Sequence, residues 1–190
     1  MINKRRAFIV GIKGTKLSNR EILFLKTYKP WGIILFSRNI KTISQTQKLT
    51  ELIKKIFHDI HYPIIIDEEG GKVTRLKKFI DNSIFTADYF GKLFTKNKKK
   101  FNIYFDVYIK QIANLLNILG ININSVPVLD VRRKITNKII GNRSYSSNAN
   151  VVSKLGEFCI SSFHQQRIAT IIKHIPGHGL AKVDSHKKLP

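Results

Sequence analysis

Residues 32–67 read GIILFSRNIKTISQTQKLTELIKKIFHDIHYPIIID, and this stretch decides the fold. It opens with the apolar run GIILF, continues through a segment with helical spacing, and ends in a second apolar run at residues 64–66 that Asp67 closes. Continuous β-branched runs are typical of strands buried on both faces, and an intervening helix indicates that the two strands pair in parallel. The stretch therefore predicts a strand-helix-strand unit of a parallel sheet.

The predicted helix of this unit covers residues 45–57. Ser44 is a residue type that caps helix N-termini, and the spacing of the apolar positions places one stripe against the sheet. The members of that stripe are Leu49, Ile53, Ile56 and Phe57.

The same alternation recurs on both sides of this unit. Apolar runs predict strands at residues 7–10 and 168–172 and a strand within residues 121–131. Helical spacing predicts helices at residues 19–28, 86–94, 101–119 and 150–166, the third of which ends at Gly120. The pattern predicts an α/β protein with a parallel sheet covered by helices.

Two architectures fit five such strands: a doubly wound open sheet, or a (β/α)8 TIM-type barrel truncated to about five βα units. Asp67, Asp130 and His174 each lie at or just after the C-terminal end of a predicted strand. A barrel places its chemistry at that edge, and an open sheet also binds ligands there, so the barrel is favoured and the open sheet stays an alternative.

Length and composition predict one domain spanning residues 1–190. A chain of 190 residues that is 43% hydrophobic can bury one sizeable core. Its single cysteine, Cys159, excludes an internal disulfide framework. We see no N-terminal run typical of a signal peptide or membrane span, so we expect a cytoplasmic protein without a membrane partner.

The net charge of +22, from 34 Lys and Arg against 12 Asp and Glu, is strong enough to attract nucleic acid. Most of the basic residues are lysines scattered along the chain, apart from Lys98, Lys99 and Lys100. Recognition modules add aromatic or arginine motifs in a defined frame, and we find none. We therefore expect no specific nucleic-acid partner, and we keep weak, salt-sensitive DNA binding as an alternative.

A carboxylate-rich turn follows the strand predicted at residues 64–66. Asp67, Glu68 and Glu69 come directly after the strand, and two glycines then turn the chain before Arg75. Carboxylates accept hydrogen bonds from vicinal hydroxyls and Arg donates them, so the turn suits a polyhydroxylated ligand. A structural Asp-Arg ion pair is the alternative.

Arg143 lies in a second polar loop, IGNRSYSSN, at residues 140–148. An Arg held by small residues suits an oxygen-rich ligand, although such loops are also common on protein surfaces.

Three histidines and one aspartate follow the last predicted strand: His174, His178, Asp184 and His186. The H-x3-H spacing of the first two permits a metal site, but Pro176 and a glycine break the helix that would align them. General acid-base catalysis fits better, because imidazole titrates near neutrality and the nearby carboxylate of Asp184 can orient His186. Structural histidines are the alternative.

Taken in order, five segments resemble glycoside hydrolase family 3 over nearly the whole chain. The resemblance is strongest to the bacterial β-N-acetylglucosaminidases (β-hexosaminidases) that release N-acetylglucosamine from muropeptides during peptidoglycan recycling. The segments are GIILFSRNI (32–40), IDEEGGKVTRL (66–76), VPVLDV (126–131), IGNRSYS (140–146) and KHIPGHG followed by DSH (173–186).

The resemblance implies a retaining glycosidase without cofactor or metal. It implies that His186 is the proton donor, supported by Asp184, and that His178 is structural. The residues that it assigns to substrate binding are Asp67, Arg75, Arg143, Lys173 and His174. The substrate is an N-acetylglucosamine-containing glycan, the muropeptide, and the intermediate is a covalent glycosyl-enzyme.

One departure from the family concerns the nucleophile. In the family, an Asp on a later strand attacks the sugar, and only four residues follow His186 here. We therefore expect no nucleophile in this chain and little hydrolysis of an aryl N-acetylglucosaminide by the chain alone. A C-terminal fragment that completes the barrel is the partner this implies. The alternatives are an inactive sugar-binding remnant and the N-terminal half of a split enzyme.

A second departure from the family is Glu68, where many relatives have Gln.

Overall fold

The computed structural model describes residues 5–187, and in it five strands are separated by five α-helices, two of which lie between the third and fourth strands. The strands are β1 Arg6–Gly11, β2 Pro30–Leu35, β3 Ile64–Ile66, β4 Ile123–Asn124 and β5 Ala169–Thr170. The helices are α1 Asn19–Tyr28, α2 Ile43–Phe57, α3 Ala87–Lys96, α4 Lys98–Ile118 and α5 Ala149–Gln165. Each predicted strand and helix is therefore present, and the predicted α/β class is confirmed.

All five strands belong to one parallel sheet with the order β1-β2-β3-β4-β5. Ile33 pairs with Ile64, and Ile65 pairs with Ile123. Sequential strands are thus always neighbours. A doubly wound sheet reverses its strand order at a switch point, whereas a barrel wall does not, so the order is that of a TIM-type barrel wall.

The core of the protein is formed by the strands and the helix faces packed on them. All three residues of β3 are buried, as expected for a strand covered on both sides. Leu49, Ile53 and Phe57 of α2 are buried in the same core, as the helical stripe predicts. A cluster of aromatic side chains on α3 and α4 extends this core, and in it the rings of Phe90 and Phe105 are in edge-to-face contact with their centroids 4.8 Å apart.

Helix ends follow local capping chemistry. Ser18 caps α1 and forms a capping box with Glu21, so α1 has the predicted bounds. The prediction that Ser44 caps α2 is wrong. Thr42 is the cap: its backbone is extended, its hydroxyl oxygen accepts a hydrogen bond from Gln45 N, and Ser44 lies within the first turn. Both are good cap types, and the chain leaves its extended course at Thr42.

Candidate active site

The loops that follow β3, β4 and β5 converge at the C-terminal edge of the sheet. The β3 loop carries Asp67 and Arg75, the β4 loop carries Arg143, and the β5 loop carries Lys173 and His174. Pairing between the last two strands continues into the loops, because Leu129 N donates to Lys173 O at 2.7 Å. This extension holds Lys173 beside the end of β4 and within reach of the carboxylates that follow β3.

Five charged side chains form a single ion-pair cluster there: Asp67, Glu69, Arg75, Arg143 and Lys173. Lys173 Nζ lies 3.0 Å from Asp67 Oδ1 and 2.6 Å from Glu69 Oε1. Arg143 donates two hydrogen bonds to Glu69, from Nε at 2.8 Å and from Nη2 at 2.9 Å. The structure therefore brings four of the five predicted sugar-binding residues into one cluster, linked through Glu69.

The ion-pair cluster keeps Asp67 ionised although its side chain is largely buried. Burial by itself raises the pKa of Asp67, but the Lys173 ammonium, the Ser125 hydroxyl and Arg75 outweigh it, and the pKa lies below the usual aspartate value. Burial lowers the pKa of Arg143, and its hydrogen bonds to Glu69 more than restore it. Arg75 is the most loosely held member, with its Nη2 3.7 Å from Asp67 Oδ2.

Glu68 points away from the ion-pair cluster and into the protein, where it is 1% exposed. Its Oε2 accepts hydrogen bonds from the backbone N–H groups of Arg75 at 2.7 Å and Leu76 at 3.0 Å, and its Oε1 accepts one from Asn82 Nδ2 at 2.5 Å. Asn124 of β4 donates to its carbonyl oxygen. Glu68 thus fixes the path of the chain from the sheet to Arg75.

We expect the substitution Glu68→Gln to leave the protein at least as stable at pH 8. Burial raises the pKa of Glu68 despite its hydrogen bonds, so the charged form costs free energy in the fold. Because the folded state takes up this proton at a higher pH than the unfolded state, wild type gains stability as the pH falls. The advantage of Glu68→Gln should therefore shrink toward pH 5 in urea unfolding.

The control for this measurement is Glu157→Gln, at an exposed position of α5. A Glu68→Gln protein that is more than about 1 kcal/mol less stable than wild type at pH 8, the size of one hydrogen bond, would contradict the expectation.

His174 is held by a buried carboxylate that the sequence did not assign to the site. Its Nδ1 lies 2.5 Å from Asp130 Oδ2, within hydrogen-bond distance, and the other Asp130 oxygen accepts from the backbone N–H of His178. The Asp130 side chain is fully buried, whereas the His174 side chain is one-third exposed. The imidazole therefore has a fixed edge and an accessible edge.

Asp184 and His186 contact each other, as their spacing predicts. His186 Nδ1 lies 2.8 Å from Asp184 Oδ1, which also accepts from the His186 backbone N–H at 3.0 Å. These hydrogen bonds lower the pKa of the Asp184 carboxyl. The His186 side chain is 83% exposed, so this pair lies at the surface.

The β4 loop anchors the segment that carries this pair. Asn137 donates from its backbone to Ala181 O at 2.9 Å and from its side chain to Lys182 O at 2.9 Å, and the Thr136 hydroxyl donates to Gly179 O. Gly179 itself passes so close to Val131 that a Cβ would lie 2.4 Å from the Val131 carbonyl oxygen. The two loops therefore form one packed unit over the end of β4.

Two residues of this arrangement were missed as site residues from sequence. Glu69 joins Arg143 to Lys173, and Asp130 joins His174 to the following turn. Their position directly after a strand end was visible in the sequence. Their partners were not, because these lie 74 and 44 positions away along the chain.

Among residues 5–187, no three His, Cys, Asp or Glu side chains lie close enough together to hold a metal ion. Of the helices within the same range, none combines the length and the apolar character needed to cross a membrane.

Known proteins similar to this chain include β-hexosaminidases in sequence and NagZ in structure. The β-hexosaminidase of Haemophilus ducreyi is 34% identical over 184 residues, which cover 96% of this chain and 52% of that protein. β-Hexosaminidase A of Pseudoalteromonas piscicida is 34% identical over 87% of this chain and 28% of its own. NagZ from Neisseria gonorrhoeae in complex with N-trifluoroacetyl-D-glucosamine superposes with a TM-score of 0.88 at 29% identity, covering 98% of this chain and 54% of that one.

The chain thus spans about half the length of most of these relatives. The model of the glycosyl hydrolase family 3 N-terminal domain matches residues 7–190, which include every loop of the site and all of the sheet except the first residue of β1. The chain therefore belongs to glycosyl hydrolase family 3.

Proposed function

We propose that this chain binds a terminal N-acetylglucosamine residue and forms part of a retaining β-N-acetylhexosaminidase site. The observation that carries the proposal is the convergence of Asp67, Arg143 and Lys173 from three different strand ends into one cluster. The complex of the related NagZ with an N-acylglucosamine derivative supports this ligand class.

The chemistry of the ion-pair cluster suits an amino sugar. Ionised Asp67 accepts hydrogen bonds from vicinal hydroxyls, and Arg75 and Lys173 donate to hydroxyl or acyl oxygens. Arg143 is fixed by its paired hydrogen bonds to Glu69, so little of its conformational entropy remains to be lost when it contacts a ligand. Donors and acceptors held in fixed positions can recognise the arrangement of hydroxyl groups on a pyranose ring.

We assign proton transfer to His186. As an imidazolium it donates a proton to the glycosidic oxygen when the bond to the anomeric carbon breaks, and as a neutral imidazole it then accepts a proton from the attacking water. Asp184 holds Nδ1, which leaves Nε2 for this transfer. Because His186 is exposed here, we propose that the pair approaches the sugar when the substrate is bound.

The covalent step also needs a carboxylate nucleophile. We assign it to a segment outside this sequence that completes the barrel, on the same chain or on a separate one. We propose the muropeptide as the substrate and peptidoglycan recycling as its setting, because the family resemblance implies both, and we propose the cytoplasm as the compartment.

Titration with N-acetylglucosamine tests the proposal. We expect NMR shifts at the backbone amides of residues 67–75 and 141–145 in the wild-type protein. We expect Arg75→Gln to weaken the affinity by about 10- to 100-fold, because a charge-assisted hydrogen bond contributes about 1.5–3 kcal/mol.

The matched control is Arg20→Gln on the exposed face of α1, which should bind like wild type. Unchanged spectra at saturating sugar, or equal affinities for the two variants, would count against the proposed site.

A further inference from the structure

Asp130 is an acid at this edge of the sheet that is held by two hydrogen bonds to its carboxylate. Its side chain is fully buried, and the Ser144 hydroxyl, itself buried, donates to its backbone carbonyl oxygen at 2.7 Å. Burial raises the pKa of its carboxyl, but the hydrogen bonds with His174 and with the His178 backbone lower it by more. The net pKa lies below the usual aspartate value, so Asp130 remains ionised.

An ionised carboxylate can only accept hydrogen bonds, which determines the tautomer of its partner. The contact of 2.5 Å between Asp130 Oδ2 and His174 Nδ1 therefore requires the proton on Nδ1. In the neutral ring, Nε2 is then left without a proton and acts as an acceptor. His174 follows Lys173 directly in the chain, and Lys173 belongs to the ion-pair cluster.

We propose that Asp130 is a positioning residue that fixes His174 as the Nδ1-protonated tautomer, so that Nε2 accepts a hydrogen bond from a hydroxyl or amide N–H of the bound sugar. This inference rests on the proposed function for its ligand. It adds to the site a residue that acts on the sugar only through His174.

A structural role alone would give Asp130 the same burial. Its Oδ1 accepts from the His178 backbone N–H, which closes the turn between β5 and the Asp184-His186 segment. The variant Asp130→Asn separates the two roles. An Asn can keep the same shape and still accept from His178 N–H, but its amide nitrogen is a donor and cannot accept from His174 Nδ1.

The test is a long-range ¹H–¹⁵N correlation spectrum of the histidine side chains at pH 8, where unperturbed imidazoles are neutral, recorded without sugar. We expect His174 to carry its proton on Nδ1 in wild type and on Nε2 in Asp130→Asn. His174→Gln assigns the resonances. The matched control is Asp184→Asn, which removes the carboxylate of the other Asp-His pair and should change His186 only.

The second arm measures N-acetylglucosamine affinity, for which we expect a loss of about tenfold in Asp130→Asn, the value of one hydrogen bond. A wild-type His174 protonated on Nε2 would overturn the inference even if Asp130→Asn failed to fold. An unchanged His174 tautomer in a folded Asp130→Asn protein would also overturn it. If the tautomers are as expected but the wild-type protein does not bind N-acetylglucosamine, the proposed function is contradicted. The sugar would then not be the hydrogen-bond partner of His174 Nε2.

Discussion

Replacing Glu69 with Gln is expected to lower the free energy of unfolding by about 3–5 kcal/mol, the cost of removing one partner from a buried ion pair. The Glu69 side chain is only 6% exposed, and it is the shared partner of Arg143 and Lys173, which are nearly as buried. Without its charge, the two cations lie next to each other with Asp67 as the remaining acid of the ion-pair cluster. Both cations are largely shielded from water, so solvent compensates only part of the lost attraction.

Urea unfolding at pH 7, followed by circular dichroism, measures this loss. The loss should persist at high salt, because buried pairs are screened much less than surface pairs. Glu157→Gln, an exposed site on α5, is the control and should remain within about 0.5 kcal/mol of wild type. A Glu69→Gln protein that is as stable as this control would show that Glu69 does not hold the β3, β4 and β5 loops together.

Replacing Gly91 with Ala is expected to destabilise the protein by about 2 kcal/mol or more, although Ala favours a helix over Gly by about 1 kcal/mol. A Cβ at Gly91 would lie 1.8 Å from the carbonyl oxygen of Tyr145. That oxygen belongs to the backbone of the loop carrying Arg143, so the clash cannot be relieved by turning a side chain. Either α3 or this loop must shift.

The control is Gly14→Ala, because no atom lies within 4 Å of the position that its Cβ would take. We expect this control to change the stability by less than about 0.5 kcal/mol. We also expect Gly91→Ala to weaken N-acetylglucosamine binding about tenfold, the value of one hydrogen bond, through displacement of Arg143. Equal melting temperatures of the two variants would mean that α3 and the Arg143 loop are not in close contact.

The site was predictable to the extent that each of its parts is local. Asp67, Arg75, Arg143 and Lys173 were expected to bind the ligand from segments that follow predicted strands, and the structure brings them together. The pair Asp184 and His186 was expected from a spacing of two residues, and it forms. Glu69 and Asp130 were noted near strand ends but were not assigned as site residues, because a carboxylate in that position looks the same in sequence whether it faces solvent or pairs with a distant basic side chain.

The sequence by itself determined the strands, the helices and the parallel class of the sheet. Those features arise from contacts within a few residues, such as the capping box of α1, and from apolar runs that leave a strand no exposed face. Only the tertiary structure decided the strand order and the pairing of charges in the site. Lys173 and Asp67 are 106 positions apart. No local pattern encodes such a partner, because it is the spatial order of the strands in the sheet that brings the two side chains within 3.0 Å of each other.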